Sequence, residues 1–325
     1  MANPLNRREF IRNSVLATTA LASSANLATQ TAAATAATTP APAKGALLPT
    51  GKIGKLNVTR LILGGNLLTR YHHHRDTRYV LKLVKSYNTN AKIRETIELA
   101  EASGINTLSV NITPDVCKTL NEHRKNGGKI QWILYSTSNI EAFGQYKDDL
   151  HRMADDGAEA IYLWGVHCDK FATDPGKHSV LMKAIEEVQL LNVPCGIGAH
   201  DICVVKEVEK AKLPIDFYIK TLHHHRYPSA PRTGEATRVV SEQPGYWCQN
   251  PDEVISVMKD VKKPWIAFKV MAAGAIPPKD AFTYSFNSGA DFVLAGMFDF
   301  DVAEDCEIAR DAVAKVENRV RPWCA

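Results

Sequence analysis

The sequence predicts an α/β protein, a single (β/α)8 barrel of the TIM-barrel class, over residues 45–325. Three observations carry that expectation. Strand-like apolar runs alternate regularly with amphipathic helices along this stretch. No GxGxxG follows the first run, which would mark the doubly wound alternative. Neither a Pro/Gly linker nor a break in composition divides the segment into two domains.

The elements follow in order. Gly51 to Val58 reads as an opening hairpin. Apolar runs at Arg60–Gly64, Ile105–Val110, Ile130–Tyr135, Ala160–Val166, Val193–Gly198, Ile215–Thr221, Pro264–Val270 and Asp291–Gly296 are the barrel strands. Apolar residues at three- and four-residue spacing place helices at Asn90–Ser103, Pro114–Asn126, Asn139–Asp156, Ser179–Leu191, Asp201–Lys210, Pro251–Val261, Pro278–Ser288 and Val302–Val316. Pro114, Asn139, Asp201, Pro251 and Pro278 supply start signals for several of them. Two connections exceed what a βα unit needs: Asn66–Thr89 after the first strand and Leu222–Asn250 after the sixth. Loops of that length in a compact domain are usually functional.

Residues 1–44 are set apart from the fold. Asn6-Arg7-Arg8-Glu9-Phe10-Ile11-Arg12 has the paired arginines, aromatic and aliphatic of a twin-arginine export signal, followed by an Ala/Thr-rich stretch too polar for a membrane anchor. The expected partner is the twin-arginine export machinery, and the expected location is periplasmic or exported from a bacterium. That route carries folded proteins, often ones already holding a cofactor. A formal net charge of only +4, with acids and bases interspersed, gives no nucleic-acid footprint. The seven cysteines lack CxxC spacing and are expected mainly as small core hydrophobes.

Histidines mark the strand ends. His72, His73 and His74 follow the first strand, His167 the fourth, His200 the fifth, and His223, His224 and His225 the sixth. Active sites of such barrels lie on the loops after the strands. Neighbouring strand ends lie about 5 Å apart, so His167, His200 and either His223 or His225 are expected to converge on one divalent ion. Zinc suits three histidines, and an added carboxylate from Asp169, Asp201 or Asp299 suits iron or manganese or fixes a ring tautomer. His223 and His225 rank above His224 because alternate residues share a face. Lys269, at the end of the seventh strand, is expected to reach a pocket carboxylate or a substrate oxygen. Arg226 is the candidate grip for an anionic or hydroxylated group. Cys248 is either ligand or packing, and Trp164 and Trp265 are either pocket wall or core.

Several segments resemble the aldo/keto reductase family. They are Leu61-Ile62-Leu63-Gly64-Gly65, Glu101 to Thr107, Tyr162-Leu163-Trp164-Gly165-Val166-His167-Cys168-Asp169 and Phe268 to Gly274, in that order along the chain. The resemblance implies a barrel that reduces carbonyls with NADPH through an Asp, a Tyr, a Lys and a His. Of that tetrad only His167 remains. Ser109 to Pro114 stands where the aspartate and tyrosine belong, and Tyr135-Ser136-Thr137-Ser138 where the lysine belongs. Without the tyrosine, hydride transfer lacks its general acid. Met297-Phe298-Asp299-Phe300-Asp301 replaces the basic phosphate-binding residues after the eighth strand.

The leading expectation is therefore an exported metal-dependent lyase, isomerase, epimerase or hydrolase acting on a small polar, carbohydrate-like substrate. His167, His200 and His223 or His225 hold the metal, Lys269 or His73 shuttles a proton, and Arg226 binds the substrate. The alternatives are an NADP-dependent oxidoreductase, with His167 working beside Lys269, and a non-catalytic ligand-binding barrel.

Overall fold

The computed structural model describes residues 47–74, 77–231 and 248–325; the expected export signal and most of the long connection after the sixth strand lie outside them. Strands β3 (Leu61–Gly64), β4 (Thr107–Asn111), β5 (Gln131–Tyr135), β6 (Ala160–Leu163), β7 (Cys195–Ala199), β8 (Phe217–Thr221), β9 (Trp265–Phe268) and β10 (Phe292–Ala295) pair in parallel, and β10 pairs with β3 to close the barrel. This is the (β/α)8 architecture expected.

Helices α2 (Asn90–Ala102), α3 (Pro114–Lys125), α4 (Phe143–Asp155), α6 (His178–Leu190), α7 (Ile202–Ala211), α8 (Pro251–Met258), α9 (Pro278–Asn287) and α10 (Val302–Ala314) are the crossovers. Their starts are chemical. Thr113 Oγ1 accepts from Val116 N–H, Asp201 Oδ1 from Cys203 N–H, and Asn250 Oδ1 from Glu253 N–H, each satisfying an amide that the helix leaves unpaired. No helix among the described residues is long and apolar enough to cross a membrane.

Two helices were not foreseen. α1 (Arg78–Tyr87) lies inside the first long connection, burying Val84. α5 (Gly165–Phe171) begins where the fourth strand was expected to continue. The strand stops at Leu163, and Gly165 opens a turn of helix instead.

The alternation of strand side chains divides the interior from the helix layer. Ile62, Ile133, Ala160, Phe217, Ile219, Ile266 and Phe292 fill the barrel together with Ile53, Leu56 and Val58 of the hairpin β1 (Thr50–Ile53) and β2 (Leu56–Thr59). The hairpin thus packs against the filled interior, while Leu108, Trp132, Leu134, Leu163, Ile197 and Trp265 join the outer core. Trp265 is consequently core and not pocket wall. Lys220, fully buried on β8, follows the same rule: its Nζ donates to Thr221 O (2.9 Å) and Thr221 Oγ1 (2.7 Å) and takes no part in the pocket.

Candidate functional site

At the carboxyl ends of the strands the interior changes character. The inward positions become Gly64, Ser109, Asn111, Tyr135, Tyr162, Gly198, His200 and Phe268, and they line a cavity of about 630 Å³ with Trp164 and Lys269. Glycine makes the room: a Cβ on Gly198 would lie 2.7 Å from Gly165 N, and one on Gly64 2.8 Å from the Ala295 carbonyl carbon. Val80 and Val84 of α1 also line this cavity, so the first long connection covers part of the mouth.

His200 is its best-oriented titratable group. Asp169, nearly fully buried on α5, accepts from His200 Nδ1 at Oδ2 (2.7 Å) and from the backbone N–H of His200 and of Asp201 at Oδ1 (3.0 and 3.1 Å). A carboxylate acceptor places the imidazole proton on Nδ1 and leaves Nε2 with its lone pair. Burial, and secondly the Lys269 charge, push the His200 pKa down to about 4 against the opposing pull of Asp169. The ring is therefore neutral near pH 7. Gly165 lets the helix approach the ring closely, since a Cβ there would lie 3.1 Å from His200 Cε1.

Lys269 lines the same cavity from the end of β9, with its Nζ 5.6 Å from the Phe268 ring centroid. Its backbone has φ +57°, and Ala272 and Ala273 (φ +47° and +56°) share the left-handed region. For a residue with a Cβ that conformation costs roughly 1–2 kcal/mol, the kind of strain concentrated at functional sites. Across the mouth, His72 and His73 reach the pocket wall, with His73 Nε2 3.5 Å from Asn66 Nδ2. Asp301 and Asp305 line the side after β10. Burial, then the nearby Asp301 and Glu304, raise the Asp305 carboxyl to about 7.

The expected metal ligands are not brought together. His167 sits on α5 outside the pocket lining, its ring 5.1 Å from Trp164, 6.0 Å from Tyr146 and 6.4 Å from Phe171 between centroids. Burial pushes its pKa down to about 4. The helix that begins at Gly165 turns it away from the strand end where it was expected. His223 is fully buried with both nitrogens engaged: Nδ1 donates to His224 O (3.1 Å) and Nε2 accepts from Cys248 N–H (3.0 Å). His225 Nε2 donates to Cys248 O (2.7 Å). These two histidines hold the two ends of the sixth-strand loop together, and Cys248 is a packing residue in the core. Arg226 is turned to α9, where it lies 3.8 Å from Asp280 and over the Tyr284 ring, with His224 bonded to the same carboxylate (3.0 Å). Asp299 is committed to Tyr87 Oη (2.8 Å) and Lys92 Nζ (3.0 Å). Among the described residues no three His, Cys, Asp or Glu side chains group as a metal-binding set.

The inward-facing tyrosines were missed by sequence reasoning. Tyr135 and Tyr162 end adjacent strands with ring centroids 4.7 Å apart. Burial raises the Tyr135 pKa to about 12 and pushes that of Tyr162 well above the ordinary tyrosine value. The two-residue periodicity of β5 and β6 was the available signal. It puts Ile133 with Tyr135, and Ala160 with Tyr162, on the inner face.

No family model matches the chain, and no curated protein matches it. Solved structures do. Two structures described as a putative aldo-keto reductase from Pseudomonas aeruginosa superpose with TM-scores of 0.52 and 0.53 at 15% and 13% identity, each covering 83% of this chain and 97% and 98% of theirs. An aldo-keto reductase from Bacillus halodurans, in its holo form, gives 0.53 at 13% identity over 85% of this chain and 98% of its own. The chain thus has the TIM-barrel enzyme fold and is similar in structure to aldo-keto reductases; at such identities the likeness concerns the fold.

Proposed function

We propose that this chain is an enzyme that acts on the carbonyl group of a small polar substrate by acid–base chemistry at the C-terminal mouth of the barrel. The His200–Asp169 pair carries this reading, because it presents a neutral imidazole of defined tautomer to a cavity that Lys269 also lines. His200 Nε2 takes the proton from the carbon next to the carbonyl. The Lys269 ammonium stabilises the negative charge that develops on the carbonyl oxygen. Return of the proton to the former carbonyl carbon, with the neighbouring hydroxyl proton passing to the carbonyl oxygen, gives an isomerase; its return to the opposite face of the same carbon gives an epimerase; and loss of a β-hydroxyl as water, protonated by the His200 imidazolium, gives a lyase.

The divalent metal expected from the histidine spacing does not fit the donors as they stand, since His223 and His225 are spent on Cys248 and His167 lies outside the pocket.

A second reading is NADP-dependent carbonyl reduction. Its support is the aldo-keto reductase likeness over nearly the whole of those chains, together with the Tyr135 hydroxyl at the pocket, the residue type whose absence after the second strand argued against hydride transfer. The residues present do not fit the nucleotide's phosphates. Asp301 and Asp305 line the side after β10, and Lys269 is the sole Lys or Arg among the described lining residues.

Proton exchange separates the readings. Incubation of 2-oxo compounds and ketoses in D2O, followed by NMR, is expected to show deuterium entering the carbon next to the carbonyl with the wild type and not with His200→Ala. Quenching of protein fluorescence by NADPH, with its consumption on adding a carbonyl substrate, would replace the first reading by the second. Export through the twin-arginine route belongs to the same proposal; an uncleaved chain recovered only from the cytoplasm would overturn it.

A further inference from the structure

The pocket holds buried polar atoms for which the acid–base step has no use. Ser109 Oγ and Asn111 Oδ1, on the inner face at the end of β4, are both buried without a hydrogen-bond partner. Ser109 is 3% exposed, and its hydroxyl meets no hydrogen-bond partner there. Both residues line the cavity, as does Tyr135 on the adjacent strand. Buried polar groups are hydrogen-bonded in the great majority of cases, and an exception in a pocket calls for a partner that arrives with the ligand.

The chemistry of these groups restricts that partner. Asn111 Oδ1 is an acceptor only, so it requires a ligand donor, and Ser109 Oγ both gives and takes. Asp301, and Asp305 in its ionised fraction, on the side after β10 disfavour a ligand carrying phosphate or carboxylate. Trp164 and Phe268 offer flat apolar surface within the same cavity, the combination that suits a molecule with apolar faces and hydroxyl edges.

We propose that the substrate is a neutral polyhydroxylated carbonyl compound, a ketose or aldose, with its hydroxyls met by Asn111 Oδ1, Ser109 Oγ and Tyr135 and its carbonyl turned to His200 and Lys269. The inference rests on the reading of this mouth as a carbonyl site, but its test is binding and not turnover.

The probes are D-fructose, D-xylulose and D-glucose, with 2-hexanone as a carbonyl compound lacking hydroxyls and D-fructose 6-phosphate as an anionic analogue. Calorimetric titration of the full mature chain is expected to show a neutral sugar binding, and 2-hexanone and the phosphate binding more weakly. Asn111→Ala is expected to weaken sugar binding about tenfold, as one lost hydrogen bond of roughly 1.4 kcal/mol implies, with a smaller loss for Ser109→Ala. Neither change should lower the ligand-free melting temperature, because each removes an unsatisfied group. Absence of sugar binding, stronger binding of 2-hexanone or the phosphate, or unchanged sugar affinity in Asn111→Ala would each overturn the proposal. The two readings fail separately. Sugar binding that depends on Asn111, without deuterium exchange, removes the proton-transfer step alone. Exchange on 2-hexanone in preference to the sugars removes the polyol inference alone.

Discussion

Asp169 Oδ2 accepts the Nδ1 proton of His200 across 2.7 Å, from a short helix that follows the strand next to the one bearing the histidine. The same carboxylate receives the backbone N–H of His200 and of Asp201. One buried aspartate therefore fixes the ring, its tautomer and the turn that carries it.

Replacing Asp169 by Asn keeps the shape but offers an amide to Nδ1 and loses the charge. The imidazole is then free to take the other tautomer, and kcat is expected to fall by about 10²–10⁴-fold, as for other histidine-orienting carboxylates. Steady-state kinetics on the substrate that shows exchange checks this, with circular dichroism confirming a native barrel. An unchanged kcat would remove His200 from the chemistry.

Three buried histidines set the acid limit. His200 and His167 have pKa values near 4 and His223 near 3, each lowered first by burial. Each takes up a proton on unfolding below about pH 6.5, the ordinary histidine value. Their contribution to stability is thus complete above about 6.5 and is lost as pH falls toward their folded values. Chemical denaturation between pH 7 and 4 should show this decline, and His167→Phe should make it shallower. If His200 is the base, kcat/KM should rise with pH through about 4 and stay level to neutrality; an acidic limb near 6.5 would contradict a buried base.

Lys269 separates strain from charge. Lys269→Gly and Lys269→Ala both remove the ammonium, but only glycine accepts φ +57° without cost. The glycine variant should be more stable than the alanine variant by about 1 kcal/mol, by urea denaturation, and both should lose activity. Equal stabilities would mean that the loop relaxes.

His223→Ala leaves Cys248 N–H buried without its acceptor and unfastens the sixth-strand loop. A loss of roughly 1–3 kcal/mol is expected. Dialysis of the wild type against EDTA should leave its melting temperature in place. A metal-dependent melting temperature, with zinc, iron or manganese found in near-stoichiometric amount, would show that the donors regroup and would restore the metal reading.

Crowding at Gly165 offers a subtler probe. A methyl group 3.1 Å from His200 Cε1 must tilt the ring or shift the helix. Gly165→Ala should lower kcat about tenfold with little change in KM, since the misplacement affects the proposed proton transfer and not the proposed sugar contacts.

The barrel itself was legible in the sequence because its causes are local and repetitive. Two-residue alternation, as in Ile133 and Tyr135, and three- to four-residue spacing in the helices are set residue by residue, and every expected strand is present. The candidate site was legible only in part. Asp169 was recognisable as a carboxylate able to fix a histidine tautomer, and His200 and Lys269 as strand-end residues. What the chain alone could not convey was where the fourth strand stops. Ending β6 at Leu163 rather than Val166 moves His167 onto a helix among aromatic rings and swings Asp169 onto His200. The same applies to His223 and His225, whose partners on Cys248 lie beyond a long loop and are set by its closure. Strand and helix identity follow from periodicity along the chain. Which nitrogen faces the pocket, and which is consumed in holding the fold, depends on residues distant in sequence that only the closed barrel brings within bonding distance.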